Sequence, residues 1–284
     1  MSSNYVLLTD YALLDDQEYP TPDAALAIML GQIIWAGTRL DLPDMLIRRL
    51  PAMAVSGAFL LPGLIDAHVH LGFDGSADPV SVMRASDDPA LLKIMLESAR
   101  RQLVAGVTTV RDAGARGYLD VTVAELTASR HALGPRIVSC GVPITSPNGH
   151  CHFMGGECAD GAHIAAHIRR NREAGTHFVK VMATGGFMTS TSRPGAPQFS
   201  LDQLAEVVEN SHRLGMRVAA HAHGTYGIRD SVNAGCDTIE HCTWVGDGGL
   251  DYDRAVAHRM VQLRTAVCPT VNSNARNPKG RVPW

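Results

Sequence analysis

The chain has 284 residues, of which 45% are hydrophobic and 19% are charged, and its formal net charge at pH 7 is −3. This length provides for one large domain or two modest ones, each able to bury a core. The near-neutral charge and the lack of any polybasic run exclude a basic nucleic-acid-binding surface. No apolar stretch approaches the ~20 residues that a membrane span requires. We therefore expect neither nucleic acid nor a membrane as partner.

Cysteine and histidine are the informative residue types. The six cysteines form no Cys-x-x-Cys pair, and residues 1–10 show no signal-peptide pattern. In a chain of this length such cysteines are typical of reduced thiols in a cytoplasmic protein. The thirteen histidines are unusually many. What the histidines indicate about the function therefore depends on whether they cluster in the fold.

The first 57 residues differ in pattern from the rest. Apolar runs at 5–9 and 25–37 are separated by stretches rich in Asp, Pro and Gly, which predicts short strands joined by turns. This small β portion, residues 1–57, contains no obvious chemistry. We expect a second domain over residues 58–284.

From residue 58 onward, apolar runs of strand length alternate with amphipathic stretches. Residues 91–99 and 201–208 follow the spacing of a helix with one buried face. Ser200 stands three residues before Gln203, which is the spacing of a capping box. The predicted strands cover residues 59–67, 107–111, 136–140, 178–183, 217–222, 238–242 and 262–269.

This alternation predicts an α/β fold with a parallel sheet, because right-handed crossovers return each strand beside its predecessor. The sheet is either open and doubly wound or closed into a TIM-like (β/α)8 barrel. No G-x-G-x-x-G fingerprint follows the first strand of the second domain, which argues against a dinucleotide-binding sheet. The histidines at strand ends favour the barrel, since catalytic groups converge at that rim.

Candidate metal ligands stand at or near the carboxyl ends of separate predicted strands. Residues two apart on a strand face the same side, so His68 and His70 present two imidazoles to one point. Imidazole suits zinc or another first-row divalent ion, and no cysteine occurs at these strand ends. The candidate ligands are His68, His70, Lys180, His221 and His241.

Each of these residues also has a purely structural interpretation. Two histidines spaced as His68 and His70 are often only packed or hydrogen-bonded. Lys180 would be unremarkable if it pointed outward from an edge strand or snorkelled to the surface. However, a buried ammonium in a strand that is covered on both faces is costly. The joint occurrence of these residues at strand ends therefore favours a metal site.

Longer motifs around these residues resemble the amidohydrolase superfamily. Within it they are similar to the branch that contains imidazolonepropionase and metal-dependent dipeptidases. The resemblance extends from about residue 60 to residue 269. The motifs are LPGLIDAHVH from Leu61, GHCHFMGG from Gly149, VKVMATGG from Val179, AHAHGT from Ala220 and IEHCT from Ile239.

The resemblance implies a metal-dependent barrel enzyme preceded by a small N-terminal β-sandwich portion. The implied reaction is hydrolysis of an amide or peptide-like C–N bond, in a dipeptide or an N-acyl amino acid, by a metal-activated water. Two divalent ions are implied, and zinc is the expected metal. His68 and His70 would bind the more buried ion, and His221 and His241 the second. Lys180 would carry a carbamate that bridges the two ions.

The same resemblance suggests residues that contact the substrate. His150 and His223 are candidates for contacts with the substrate or the transition state, although His150 also fits a hydrogen-bonding role in its loop. Tyr226 and Arg193 are candidates for holding a substrate carboxylate. Cys151, which stands between His150 and His152, is the only thiol to be considered as a nucleophile.

The sequence departs from the family pattern after its seventh predicted strand. In the family, an aspartate at the end of an eighth strand binds the buried metal and takes a proton from water. No residue up to Trp284 can be assigned to that position. We expect a barrel lacking its last βα unit, which is a fragment of a longer enzyme, a chain completed by a partner, or an inactive metal-binding relative. A homo-oligomer is compatible with the sequence.

Overall fold

The computed structural model describes residues 5–14 and 19–270. These residues belong to two compact units, which divide between Gly63 and Leu64. The division falls later than residue 57 because the last strand of the first unit continues to Leu60. The two units are described separately below.

The first unit is built around one four-stranded sheet in the order β3-β2-β1-β4. Strand β1 pairs antiparallel with β2 and parallel with β4. One apolar cluster contains Leu7 and a second contains Tyr11. In the described residues, the predicted small N-terminal β portion consists of this one sheet. Its elements are β1 (Tyr5–Leu13), β2 (Thr21–Met29), β3 (Gln32–Thr38), α1 (Asp44–Arg49) and β4 (Ala52–Leu60).

The second unit has the strand–helix alternation that the sequence predicts, which confirms the α/β class. The strands are β5 (Leu64–Val69), β6 (Val107–Asp112), β7 (Arg136–Ser139), β8 (Phe178–Met182), β9 (Arg217–Gly224), β10 (Thr238–Gly246), β11 (Gly249–Leu250) and β12 (Ala266–Cys268). The helices are α2 (Pro79–Ala85), α3 (Asp88–Val104), α4 (Leu119–Ala128), α5 (Gly161–Glu173), α6 (Leu201–Arg213), α7 (Thr225–Ala234) and α8 (Arg254–Leu263).

Parallel strands of this unit follow one another in space almost in chain order. One sheet runs β5-β6-β7, and the other runs β8-β9-β10, with β12 parallel to β10. Ile144 joins the two sheets, since its N–H donates to the carbonyl of Lys180 and its own carbonyl accepts from Met182, both at 2.8 Å. The described residues therefore form a continuous parallel array but not a closed barrel.

The array curves, as contacts of Arg111 across its interior show. The guanidinium of Arg111, on β6, donates to Oε1 of Glu240 on β10 at 2.6 Å and to the carbonyl of Ala67 on β5 at 2.7 Å. It also lies over the ring of Phe178 on β8, 5.3 Å from the centroid. Since four strands meet around one side chain, their carboxyl ends border a common space.

Two predicted strands differ from the observed ones. The predicted strand at 59–67 is two strands, because Pro62 and Gly63 separate β4 from β5. Proline lacks the N–H that a central strand would donate. The predicted strand at 262–269 is reduced to β12, because α8 continues to Leu263 and Arg264 ends it in a left-handed conformation with φ 55°.

The helix predictions are confirmed in α3 and α6. The hydroxyl of Ser200 accepts from the backbone N–H of Gln203 at 3.2 Å, and the Gln203 side-chain oxygen accepts from the N–H of Ser200 at 3.0 Å. This reciprocal pair is the predicted capping box. Among the described residues, no helix combines the length and apolar character needed to cross a membrane.

Candidate functional site

The pleat of β8 and β9 separates an apolar outer face from a polar inner one. Successive side chains on a strand point to opposite faces. On β8, Val179 and Val181 pack in the main hydrophobic core, so the intervening Lys180 faces the other side. The same alternation on β9 places Ala220 and Ala222 in that core and turns His221 and His223 inward.

Six histidines form one connected group, which we call the histidine cluster. The ring centroid of His241 lies 5.0 Å from that of His68 and 4.6 Å from that of His221. His68 and His70 are 5.4 Å apart, and His150 lies 4.5 Å from His221. The structure thus brings the four predicted histidine ligands together. The cluster consists of His68, His70, His150, His221, His223 and His241.

Hydrogen bonds fix which ring nitrogen carries the proton in three of these histidines. Nδ1 of His68 lies 2.6 Å from Oε2 of Glu240, Nδ1 of His70 lies 3.1 Å from a backbone carbonyl, and Nε2 of His221 lies 2.9 Å from another. Carbonyls and carboxylates only accept, so each of these nitrogens must be an N–H. The opposite nitrogen then carries a lone pair, which is the form that binds metal.

Burial keeps the cluster neutral. Desolvation, reinforced by the nearby positive charge of Lys180, lowers the pKa of His68 and of His223 to about 4. Burial, together with neighbouring histidines, lowers the pKa of His70 and of His150 to about 3. At neutral pH the imidazoles are therefore uncharged, as metal ligands must be.

Lys180 and His150 contribute buried polar atoms without partners. Lys180 is 1% exposed, and its Nζ makes no hydrogen bond to any described residue. Burial lowers the pKa of this amine. Nδ1 of His150 is also buried and unpartnered among the described residues. Because orphaned buried polar groups are costly, both atoms fit a site that is completed by a bound group.

Glu240 is a member of the site that the sequence reasoning missed. It is fully buried on β10, and its Oε1 accepts from Arg111 at 2.6 Å and from Thr238 at 2.8 Å. Burial alone would raise its pKa, but the charge of Lys180, the hydrogen bond from His68 and the charge of Arg111 hold that pKa below its usual range. A charged residue inside an apolar strand was the signal available in the sequence.

The backbone is strained where β10 leaves the site. His241 and Cys242 have φ values of 69° and 52°, and Trp244 has 56°. The pairing of β10 with β9 shifts register between His241 and Val245. Left-handed backbone costs a non-glycine residue about 1–2 kcal/mol, and such strain gathers at functional sites. The surrounding structure therefore imposes the position of His241.

Two groups of side chains have the spacing of metal ligands. His221, His223 and His241 each offer a ligand atom within 4.8 Å of the others. His68 forms a similar group with Glu240 and Cys268. The first group includes His223, which the sequence assigned to the substrate. The metal roles of the predicted ligands, Lys180 included, stay predictions.

The loop after β7 carries His150 and places this residue against the loop after β8. Its N–H donates to the side-chain oxygen of Gln198, and its ring occupies the space where Gly186 has no side chain. The neighbouring Cys151 is buried, and burial raises the pKa of its thiol to about 12. A thiol that stays protonated at neutral pH is a poor nucleophile. The burial of Cys151 therefore argues against its acting as a nucleophile.

The two candidates for substrate carboxylate binding lie in the segments that follow β9 and β8. Tyr226 lies in the first turn of α7, and the guanidinium of Arg229 lies 4.9 Å from its ring centroid. Arg193 lies in the connection between β8 and α6 and forms no ion pair with the described residues. Their role in binding substrate stays a prediction.

Titratable side chains gathered at the carboxyl ends of parallel strands are typical of sites built on α/β folds. The model of the amidohydrolase family matches residues 59–279. The chain therefore belongs to the amidohydrolase family, which confirms the resemblance seen in the motifs.

Similar proteins include enzymes of known activity. An ochratoxinase from Aspergillus niger is 27% identical over 264 residues, which cover 80% of this chain and 52% of that protein. An imidazolonepropionase from Shewanella amazonensis is 26% identical over 271 residues, covering 80% of this chain and 61% of that protein. The chain thus spans about half the length of the ochratoxinase.

Solved structures share the fold over most of the chain. A Xaa-Pro dipeptidase with methionine in its active site superposes with a TM-score of 0.80 at 24% identity, covering 94% of this chain and 66% of that one. A prolidase complexed with N-methylphosphonate-L-proline gives 0.79 at 25% identity, with the same coverage. These similarities confirm an α/β fold of the amidohydrolase type.

Proposed function

We propose that this chain carries a metal-dependent hydrolytic site that cleaves an amide or peptide-like C–N bond in a small molecule, such as a dipeptide or an N-acyl amino acid. The observation that carries the proposal is the cluster of neutral imidazoles, which come from strand ends far apart in sequence. The cluster adjoins a buried lysine whose amine has no partner among the described residues. The likeness to an ochratoxinase and to prolidases supports the bond type.

The residues present fit a pair of divalent ions. In this proposal His68 and His70 would hold one ion, His221 and His241 would hold the other, and Lys180, as a carbamate, would supply anionic oxygen donors to both. The neutral imidazoles and the orphaned amine support this assignment, and zinc is among the ions that imidazole ligands suit. Carbamylation replaces a buried cation with an anion, which suits two dications. Bound ions of this kind lower the pKa of water and polarise a carbonyl.

Other side chains of the site would bind and orient the substrate. We assign His150 and His223 to contacts with the substrate carbonyl or the transition state. Both rings lie against His221, and Nδ1 of His150 has no partner among the described residues. Tyr226 and Arg193 are proposed to hold a substrate carboxylate, for which an arginine is well suited.

The proposal extends to architecture and context. The curved parallel array is the larger part of a (β/α)8-type barrel, as the cross-array contacts of Arg111 support. All six cysteines are free, which supports a cytoplasmic location. The partner would be a small-molecule substrate rather than nucleic acid or a membrane, and a homo-oligomer fits this reading.

Metal analysis with an amide-hydrolysis screen tests the proposal. We expect purified protein to contain two zinc ions per chain and to release free amine from dipeptides or N-acyl amino acids. His68→Ala should lose one metal equivalent, whereas the exposed His258 of α8 provides a control, His258→Ala, that should keep both. Unchanged metal content in His68→Ala would contradict the ligand assignment.

A separate experiment tests the carbamate. Bicarbonate should increase metal retention and activity in the wild-type protein, because carbon dioxide must add to the amine of Lys180. Lys180→Ala should abolish that bicarbonate dependence. If the dependence persists in Lys180→Ala, the carbamate assignment is wrong, while the histidine ligands are still tested by metal analysis.

One observation favours a second candidate, a metal-binding domain without catalytic activity. Among the described residues, the groups that could hold a metal contain one carboxylate, that of Glu240. Both of its oxygens are already engaged, by His68 and by Arg111 with Thr238. A positioned carboxylate base typically contributes 10²–10⁴-fold to rate. Two bound metals with no turnover on any amide would favour this candidate.

A further inference from the structure

We propose that Glu240 is a positioning residue that fixes the orientation and the tautomer of His68 and so presents Nε2 of His68 to a metal ion. This inference rests on the proposed function, since it assigns His68 a metal. It concerns a residue that the ligand assignment leaves without a role.

The geometry around the carboxylate assigns each oxygen a separate task. Oε1 of Glu240 is held by Arg111 at 2.6 Å and by Thr238 at 2.8 Å. Oε2 lies 2.6 Å from Nδ1 of His68. An ionised carboxylate only accepts hydrogen bonds, so Nδ1 of His68 must carry the proton and Nε2 must carry the lone pair. Arg111 and Thr238 thus hold the group that selects the tautomer.

The contact also ties two distant ligand strands together. His68 lies on β5, whereas Glu240 lies on β10 immediately before His241. The rings of His68 and His241 are 5.0 Å apart. The hydrogen bond from His68 to Glu240 therefore sets the separation of two proposed ligands of different ions. Partners of this kind orient metal-binding histidines and raise their basicity.

A competing reading makes Glu240 itself a ligand, because it forms a group with His68 and Cys268 whose ligand atoms lie within 4.8 Å of one another. The guanidinium of Arg111 argues against this reading. A cation 2.6 Å from Oε1 would repel a divalent ion bound to the same carboxylate. The two readings also differ in what a glutamine at this position would do.

Glu240→Gln is the discriminating variant. The single amide oxygen should turn to the two donors, Arg111 and Thr238, which leaves the amide NH2 facing Nδ1 of His68. That nitrogen must then accept, and the proton moves to Nε2, where it blocks metal binding. Nitrogen-15 NMR of the metal-free protein should therefore show the tautomer of His68 reversed. Zinc affinity, measured by competition with a chromophoric chelator, should fall about 10–100-fold.

Matched variants separate positioning from general stability. Thr238→Val removes a bond to Oε1 but leaves the contact with His68, so it should keep the wild-type tautomer and zinc affinity. In a His68→Ala background, Glu240→Gln should cause no further loss of zinc affinity. If Glu240→Gln fails to fold, the tautomer of His68 in the wild-type protein still tests the inference, because a proton on Nε2 would contradict it.

Three outcomes would overturn the inference. The first is a wild-type tautomer and zinc affinity in Glu240→Gln. The second is a full loss of one zinc equivalent while Nδ1 of His68 stays protonated, which would make Glu240 a ligand. The third is a wild-type His68 that carries its proton on Nε2. If wild-type protein binds no zinc, the proposed function fails, but the NMR result still decides the role of Glu240.

Discussion

At the scale of single residues, burial couples the protonation of Asp120 to folding. Asp120 lies in α4, and its Oδ2 accepts from the N–H of Gly141 at 2.7 Å. Burial raises the pKa of this carboxyl to about 6, against about 3.9 in an unfolded chain. The folded state therefore holds a proton that the unfolded state releases. The stabilisation that the Asp120 carboxyl contributes to the folded state is largest below pH 4 and is lost as pH rises through 6.

Asp120→Asn should remove that loss, because the amide oxygen still accepts from Gly141 while no charge forms. We expect the unfolding free energy of the variant, relative to wild type, to rise by about 2 kcal/mol between pH 4 and pH 8. Urea titrations across this range measure the difference. Asp202→Asn, at an exposed position of α6, is the control. A difference that does not change with pH would contradict the coupling.

The ring of His150 depends on the absence of a side chain at position 186. A Cβ added at Gly186 would lie 2.5 Å from Cε1 and Nε2 of His150. Gly186→Ala should therefore displace the ring and lower kcat for amide hydrolysis as far as His150→Ala does, with no further loss in the double variant. The control is Gly248→Ala, where an added Cβ meets no atom within 4 Å. Wild-type kcat in Gly186→Ala would show that His150 is dispensable or adapts.

The sequence indicated some residues of the site and not others. The four histidines predicted as ligands and Lys180 were identified because each ends or interrupts an apolar strand. Glu240 met the same criterion as Lys180, because a charge in a strand that is covered on both faces is costly. Its pairing with Arg111, 129 residues away, depends on the curvature of the array and is not encoded in a local pattern.

At the scale of elements, the cap of α6 is a local contribution to stability. Ser200 and Gln203 satisfy two backbone donors, and the helix packs Leu204 and Val207 into the main core. Ser200→Ala should lower the unfolding free energy by about 1 kcal/mol. Chemical denaturation measures this loss. Ser98→Ala, inside α3, removes no cap and should stabilise slightly. Equal effects of the two variants would contradict the capping role.

Element boundaries were predictable where a local signal exists. The capping box marks the start of α6, and alternating apolar residues mark β8 and β9. The conformation of β10 was not predictable in this way. Its left-handed residues at His241 and Cys242 are neither glycine nor asparagine, so tertiary packing rather than residue preference holds them there.

At the scale of the whole molecule, the histidine cluster draws on strands that only folding brings together. The proposed ligands lie on or beside β5, β8, β9 and β10, so an unfolded chain offers no comparable site. Their order along the array follows from the alternation of strands and helices, as the sequence predicts. A ligand that binds only the folded state stabilises it by mass action.

Zinc should therefore stabilise the second unit and not the first. Free zinc at 100 times its dissociation constant should add about 2.7 kcal/mol per bound ion to the stability of the metal-binding unit. Hydrogen exchange followed by mass spectrometry should show greater protection in peptides from β5, β9 and β10. Peptides from β1, β2 and β3, which hold no member of the cluster, serve as the internal control and should not change. Uniform protection of both units would indicate nonspecific binding, because the folding linkage predicts an effect confined to the unit that holds the ligands.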